Sequence, residues 1–171
     1  MMQMLKRGGM EVLTDSLRAA DADNPRGYLE YEPVKKLKHD KSWLPTARGK
    51  AIKVISQLVM ELPSSENYAV IWMDRNLEEV LASQGKMLER LGRPGADLQI
   101  LRGGFRHHLV QIEAWLTSRT NIRRLSVPYA EVIAAPEFQA ARINAFLGSR
   151  LNTAEMCSAV DPALYRNRQD A

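Results

Sequence analysis

Residues 68 to 74, Tyr-Ala-Val-Ile-Trp-Met-Asp, form a run of strand length whose centre is apolar without alternation. A strand with one wet face alternates polar and apolar residues; a strand covered on both faces does not, so this run points to a buried strand of a parallel sheet. It passes at once into a helical period in which Leu77, Val80, Leu81, Gln84, Leu88 and Leu91 share a face. Asn76 and Glu79 form a capping pair at its start and Gly92 is a stop at its end. A strand feeding directly into an amphipathic helix is half of a βαβ unit, and it confines the chain to the α/β class.

The remaining pattern agrees. Further strand-length runs lie at 10 to 14, 50 to 56 and 122 to 127, the last carrying Arg123 and Arg124 as an edge or strand end would. Helical periods are expected at 105 to 118, through Phe105, Leu109, Ile112 and Leu116, and after residue 135, where Phe138, Ala141, Ile143 and Phe146 lead to Gly148. The Gly- and Pro-bearing stretch 90 to 104 reads as a loop, and residues 160 to 171 as a frayed polar tail. With 171 residues, 45% hydrophobic and 26% charged, the chain is one domain with a core of its own. We expect a mostly parallel sheet flanked by helices.

Charge and cysteine narrow the function. A net charge of +4 favours anionic partners, phosphate or sulfate included, without selecting nucleic acid. One cysteine, Cys157, excludes an internal disulfide framework, and no Cys/His spacing suits zinc. These two features make a reducing cytoplasm and no metal the expectation, and because no apolar run approaches the ~20 residues of a membrane span, no membrane partner is expected.

In open α/β sheets ligands sit beyond the carboxyl ends of strands, which puts Asp74 and Arg75 where chemistry is usually found. Ser83 follows eight residues after Arg75, on the flank of the apolar stripe. A guanidinium can grip two oxygens of a phosphate while a hydroxyl donates to a third. A surface arginine and a helix-flank serine unrelated to any ligand are the competing reading. The histidines His39, His107 and His108, the lysines from 35 to 41 and the tryptophans Trp43, Trp72 and Trp115 fit surface or packing roles.

The segment "DRNLEEVLAS" at 74 to 83 resembles the 3′-phosphate-binding segment of the sulfotransferases that use 3′-phosphoadenosine 5′-phosphosulfate. Arg75 and Ser83 fall on the two positions that hold that phosphate in the family. The likeness to a bacterial branch continues through "NPRGYLEYEPVKKLK" at 24 to 38, "GKAIKVIS" at 49 to 56 and "VPYAEVIAAPEFQAARINAFLG" at 127 to 148, and so covers nearly the whole chain. The resemblance implies a three-layer fold like that of the P-loop NTPases, a nucleotide donor, no metal, and sulfuryl transfer to a hydroxyl or amine acceptor. It offers Glu30 and Glu32 as candidate bases, the two alternating with Leu29 and Tyr31 so that they share a side if the stretch is extended. Solvated carboxylates at the start of a helix beginning at Pro33 are the alternative. Arg166 and Arg168 correspond to basic residues that touch the nucleotide in some relatives. One family feature is missing: the first strand and the loop whose amides cradle the 5′-phosphosulfate. "MMQMLKRGG" is similar to the helix after that loop, so the expectation is an N-terminally incomplete sheet and a chain inactive as it stands. Two rivals remain, a non-catalytic nucleotide- or anion-binding relative acting as an interaction module, and a P-loop kinase, for which the chain has no Walker lysine.

Overall fold

The computed structural model describes residues 1–15, 17–21, 24–90, 92 and 98–165. The chain is α/β, with a two-stranded parallel sheet. In order come helix α1 (Met2–Arg7), strand β1 (Tyr68–Asp74), α2 (Leu77–Arg90), α3 (Leu98–Thr117), β2 (Ile122–Pro128), α4 (Tyr129–Ala134), α5 (Pro136–Phe146) and α6 (Thr153–Ser158). Short 3-10 turns at Glu32–Lys36, Leu44–Ala47 and Ser56–Glu61 lie in the stretch before β1.

β1 and β2 pair in register from Tyr68↔Ile122 to Asp74↔Pro128. Asn121 pins the start of this ladder, its side-chain amide donating to the Glu66 carbonyl at 2.6 Å while its own carbonyl accepts from the Tyr68 N–H at 2.9 Å. Side chains then alternate between two cores. Ile71, Met73, Leu125 and Val127 face one built with α1, α5 and α6, around Met4, Ile143 and Met156. Tyr68, Trp72 and Ile122 face the other, where Ile112 and Leu116 of α3 meet Leu37, Trp43 and Val59 from the 3-10 region. All three tryptophans belong to this second core or pack against it.

The buried-strand expectation meets its first exception here. No residue of β1 is fully buried, and Ala69 and Asp74 are exposed. A parallel ladder turns the amides of Tyr68, Val70, Trp72 and Asp74 toward β2 and those of Ala69, Ile71 and Met73 away from it. Among the described residues no strand meets that outward row. Among the described residues the apolar run is therefore flanked on one edge only.

Other expectations shift as well. The runs at 10 to 14 and 50 to 56 contribute a single parallel bridge, Val12↔Ala51, closed by Leu13 N–H to Ala51 O at 2.9 Å and Ala51 N–H to Glu11 O at 2.8 Å. α3 starts at Leu98 and absorbs part of the predicted loop, Gly103 and Gly104 included. Each glycine costs a helix about 1 kcal/mol, but here both lie on the solvent side. The turn is anchored instead by Arg102, which donates to Glu78 of α2 at 2.6 Å. In α5 the buried residues are Gln139, Ala140 and Ile143, whereas Phe138 is 63% exposed beneath the Arg142 guanidinium. The sequence pattern placed Phe138 inward because it is large and apolar; the Gln139 amide takes the inner position by donating to Glu131 at 2.6 Å. Gly92 and Gly148 end α2 and α5 with φ of +64° and +89°, a backbone that favours glycine.

Candidate functional site

The carboxyl ends of β1 and β2 open onto a cavity of about 220 Å³. Asp74 at the end of β1 and Arg75 just after it line it, with Tyr129 from the start of α4, Glu79 from the first turn of α2 and Tyr165 from the C-terminal segment. Asn76 sets the entry to α2, its side-chain oxygen accepting from the Glu78 N–H at 2.8 Å. That start turns Glu79 inward, where only 4% of it reaches solvent.

A carboxylate so deeply placed needs partners. The Tyr165 hydroxyl donates to Glu79 Oε1 at 2.5 Å. Arg75 Nε lies 3.5 Å from Glu79 Oε2, at ion-pair distance but outside hydrogen-bonding geometry, so this buried donor is only electrostatically met. The guanidinium sits 5.0 Å from the centre of the Tyr129 ring, a cation–π distance, and Tyr129 packs edge to face on Tyr165 at 5.2 Å. Glu79 thus holds Arg75 from its Nε side. Among the described residues no hydrogen bond engages the two terminal nitrogens of Arg75, and those are the ones a bidentate anion uses.

Ser83 is half-buried on α2, about 10 Å along the helix axis from Asn76 at ~1.5 Å per residue, and does not line the cavity. Arg166 and Arg168 lie outside the described residues. Within the stretch expected to fray, Asp161 caps a 3-10 turn, Pro162–Leu164, and Arg26 holds the backbone carbonyl of Ala159 at 2.7 Å and the Asp161 carboxylate at 2.8 Å. Tyr165 then reaches Glu79, so this segment forms a wall of the cavity.

Glu30 and Glu32 do not line it. Leu29 between Tyr28 and Glu30 has φ +47°, so the stretch is not the regular extended segment that would put both carboxylates on one side. Glu30 accepts from Lys53 at 2.8 Å and lies 3.5 Å from Arg18. Partial burial pushes its carboxyl upward, but the hydrogen bond and charge of Lys53, joined by Arg18, outweigh that and hold it below the usual carboxylate range. Glu32 opens the Glu32–Lys36 turn and pairs with Lys35 at 2.7 Å. His39 and His107 are exposed, and His108 lies 3.3 Å from the Ser56 hydroxyl.

A second cavity, about 190 Å³, opens on the other face of the sheet between Trp72, Ile112 and the Arg124–Glu113 ion pair, and Asp74 borders both. Among the described residues no three His, Cys, Asp or Glu side chains cluster as a metal site, and no helix is long and apolar enough to cross a membrane. Comparison with protein-family models, with curated proteins and with solved structures found no match.

Sequence reasoning found Arg75 from its place at a strand tip. It assigned Glu79 only a capping role and missed Tyr129 and Tyr165 as site residues. The local signal was the four-residue spacing of Arg75 and Glu79, which puts the two on neighbouring positions of one face.

Proposed function

We propose that the chain is a sulfotransferase-like domain of the three-layer, P-loop-like type, binding the 3′-phosphate of 3′-phosphoadenosine 5′-phosphosulfate at Arg75. In this reading it transfers a sulfuryl group to a hydroxyl or amine acceptor in the cytoplasm. The observation that carries the reading is the Arg75 guanidinium at the carboxyl end of β1, braced on its Nε side and open at its terminal nitrogens. A cavity of about 220 Å³ is smaller than the ~300–1,000 Å³ of a typical whole-ligand pocket, so it suits the phosphoryl end of a nucleotide. The open edge of β1 fits the same reading, in which a further parallel strand would stand beside it.

Sulfuryl transfer needs in-line positioning, cations against the charge that develops, and a base for the acceptor's proton. Arg75 supplies binding and orientation at the ribose phosphate, with Ser83 as a second donor once the ligand extends along α2. Glu30 can take the acceptor's proton only after its pairing with Lys53 and Arg18 opens. A non-catalytic nucleotide binder is the second reading, favoured by the absence of a Gly/Ser/Thr-rich phosphate loop from these residues.

Calorimetry with adenosine 3′,5′-bisphosphate and with adenosine 5′-monophosphate tests the site. The bisphosphate should bind at least about tenfold more tightly, the value of one good charge-assisted contact, and Arg75→Ala should erase the difference. Equal affinity for the two nucleotides rejects the assignment. A radiolabelled sulfuryl-transfer assay then separates the enzyme from the non-catalytic binder.

A further inference from the structure

We infer that Glu79 is a positioning residue for Arg75, and that the Tyr165 hydroxyl acts on Arg75 through Glu79. Arg75 carries five N–H donors in a rigid plane, so fixing one edge of that plane aims the other. Glu79 stands against the Nε edge at 3.5 Å, and the Tyr129 ring supports the flat face at 5.0 Å. Two constraints leave the guanidinium one orientation, with its terminal nitrogens toward the cavity.

Glu79 would be a poor brace if its own carboxylate could turn. Tyr165 prevents that by donating to Oε1 at 2.5 Å, which leaves Oε2 for Arg75. Tyr165 is itself held by its edge-to-face contact with Tyr129 and by the Arg26 anchor at Ala159 and Asp161. The order of support is therefore Arg26, the segment 159 to 165, Tyr165, Glu79, Arg75. The Arg75–Glu79 contact at 3.5 Å has room to close into a full hydrogen bond once an anion fixes the opposite edge of the guanidinium. Active-site hydrogen bonds that are long without ligand commonly tighten when it binds.

This inference rests on the proposed reading only for the choice of probe, adenosine 3′,5′-bisphosphate. Binding is measured for the wild type, Glu79→Gln, Tyr165→Phe and the double variant. Each single change should weaken binding about tenfold, and the double variant should bind no more weakly than Glu79→Gln alone, because residues acting as one unit are not additive. Independent, multiplying losses overturn the relay through Glu79, as do single variants that bind like the wild type.

A second measurement needs no ligand. Hydrogen exchange at the Arg75 Nε–H, followed by ¹⁵N nuclear magnetic resonance, should be slower than at the exposed Arg150 and should accelerate in both Glu79→Gln and Tyr165→Phe. Unchanged exchange in either variant overturns the positioning role. Wild-type protein that ignores the bisphosphate but shows this exchange pattern rejects the nucleotide reading and leaves the brace standing.

Discussion

Two clusters in this molecule are built from the same parts, a glutamate, arginine and tyrosine, and they end in opposite states. Around Glu30, two cations converge on one carboxylate: Lys53 at 2.8 Å and Arg18 at 3.5 Å, with Arg18 also over the Tyr28 ring at 3.3 Å. Around Glu79, among the described residues, one guanidinium stands at ion-pair distance and a tyrosine hydroxyl donates a hydrogen bond. The first arrangement spends its cations on a carboxylate of its own and leaves it a weak base. The second leaves an arginine with open donors. Counting charges near a carboxylate therefore does not identify a site; what identifies it is a cation that the surrounding protein orients without saturating.

Burial separates the two clusters further and sets the largest expected effect. Glu79 is nearly inaccessible, so Glu79→Ala strands a partly buried guanidinium and a tyrosine hydroxyl. Urea unfolding should show a loss of about 2–3 kcal/mol, less than the ~3–5 of a fully buried pair because 31% of the Arg75 side chain remains in water. Glu30→Ala should cost about 1 kcal/mol or less, as for other solvent-screened pairs. Equal losses would erase the distinction between the clusters.

A smaller effect comes from acid. The Glu30 carboxyl is held below its ordinary value of 4.5, so its contribution to stability is complete above that value and is lost as pH falls through the lowered one. Asp15, Glu66, Glu78 and Glu113 are also held low, each chiefly by a hydrogen bond, so the whole protein loses stability on the same limb. The informative quantity is the difference. Glu30→Gln should show a shallower decline than wild type below about pH 4.5, and parallel declines would mean that Lys53 and Arg18 do not lower its proton affinity.

The sequence made the β1–α2 unit legible because its signals are local: an apolar run, an Asn76 cap, a helical stripe and Gly92 all lie within 25 residues of one another. The α/β class followed from it. The runs at 10 to 14 and 50 to 56 were harder, since a strand needs a neighbour along its length and only Val12 and Ala51 meet. In α3 the glycines pointed to a loop, but Arg102 reaches Glu78 and that contact is invisible to a local pattern. The site divides in the same way. Arg75 could be read from its place after β1, whereas Tyr165 meets Glu79 across 86 residues of chain. Periodicity put Ser83 correctly on α2, yet the cavity opens at that helix's first turn rather than along its flank.

The lopsided sheet carries a consequence for how copies of this protein meet. One margin of the ribbon offers the amides of Ala69, Ile71 and Met73, which no strand meets among the described residues, in an apolar setting, a template for another chain, while β2 on the other margin bears the exposed charge of Arg123. Repulsion guards one side and stickiness marks the other, so self-assembly through this sheet should close after a single pairing. Sedimentation at rising concentration should find monomers and dimers; a ladder of larger oligomers would show that Arg123 fails as a gatekeeper.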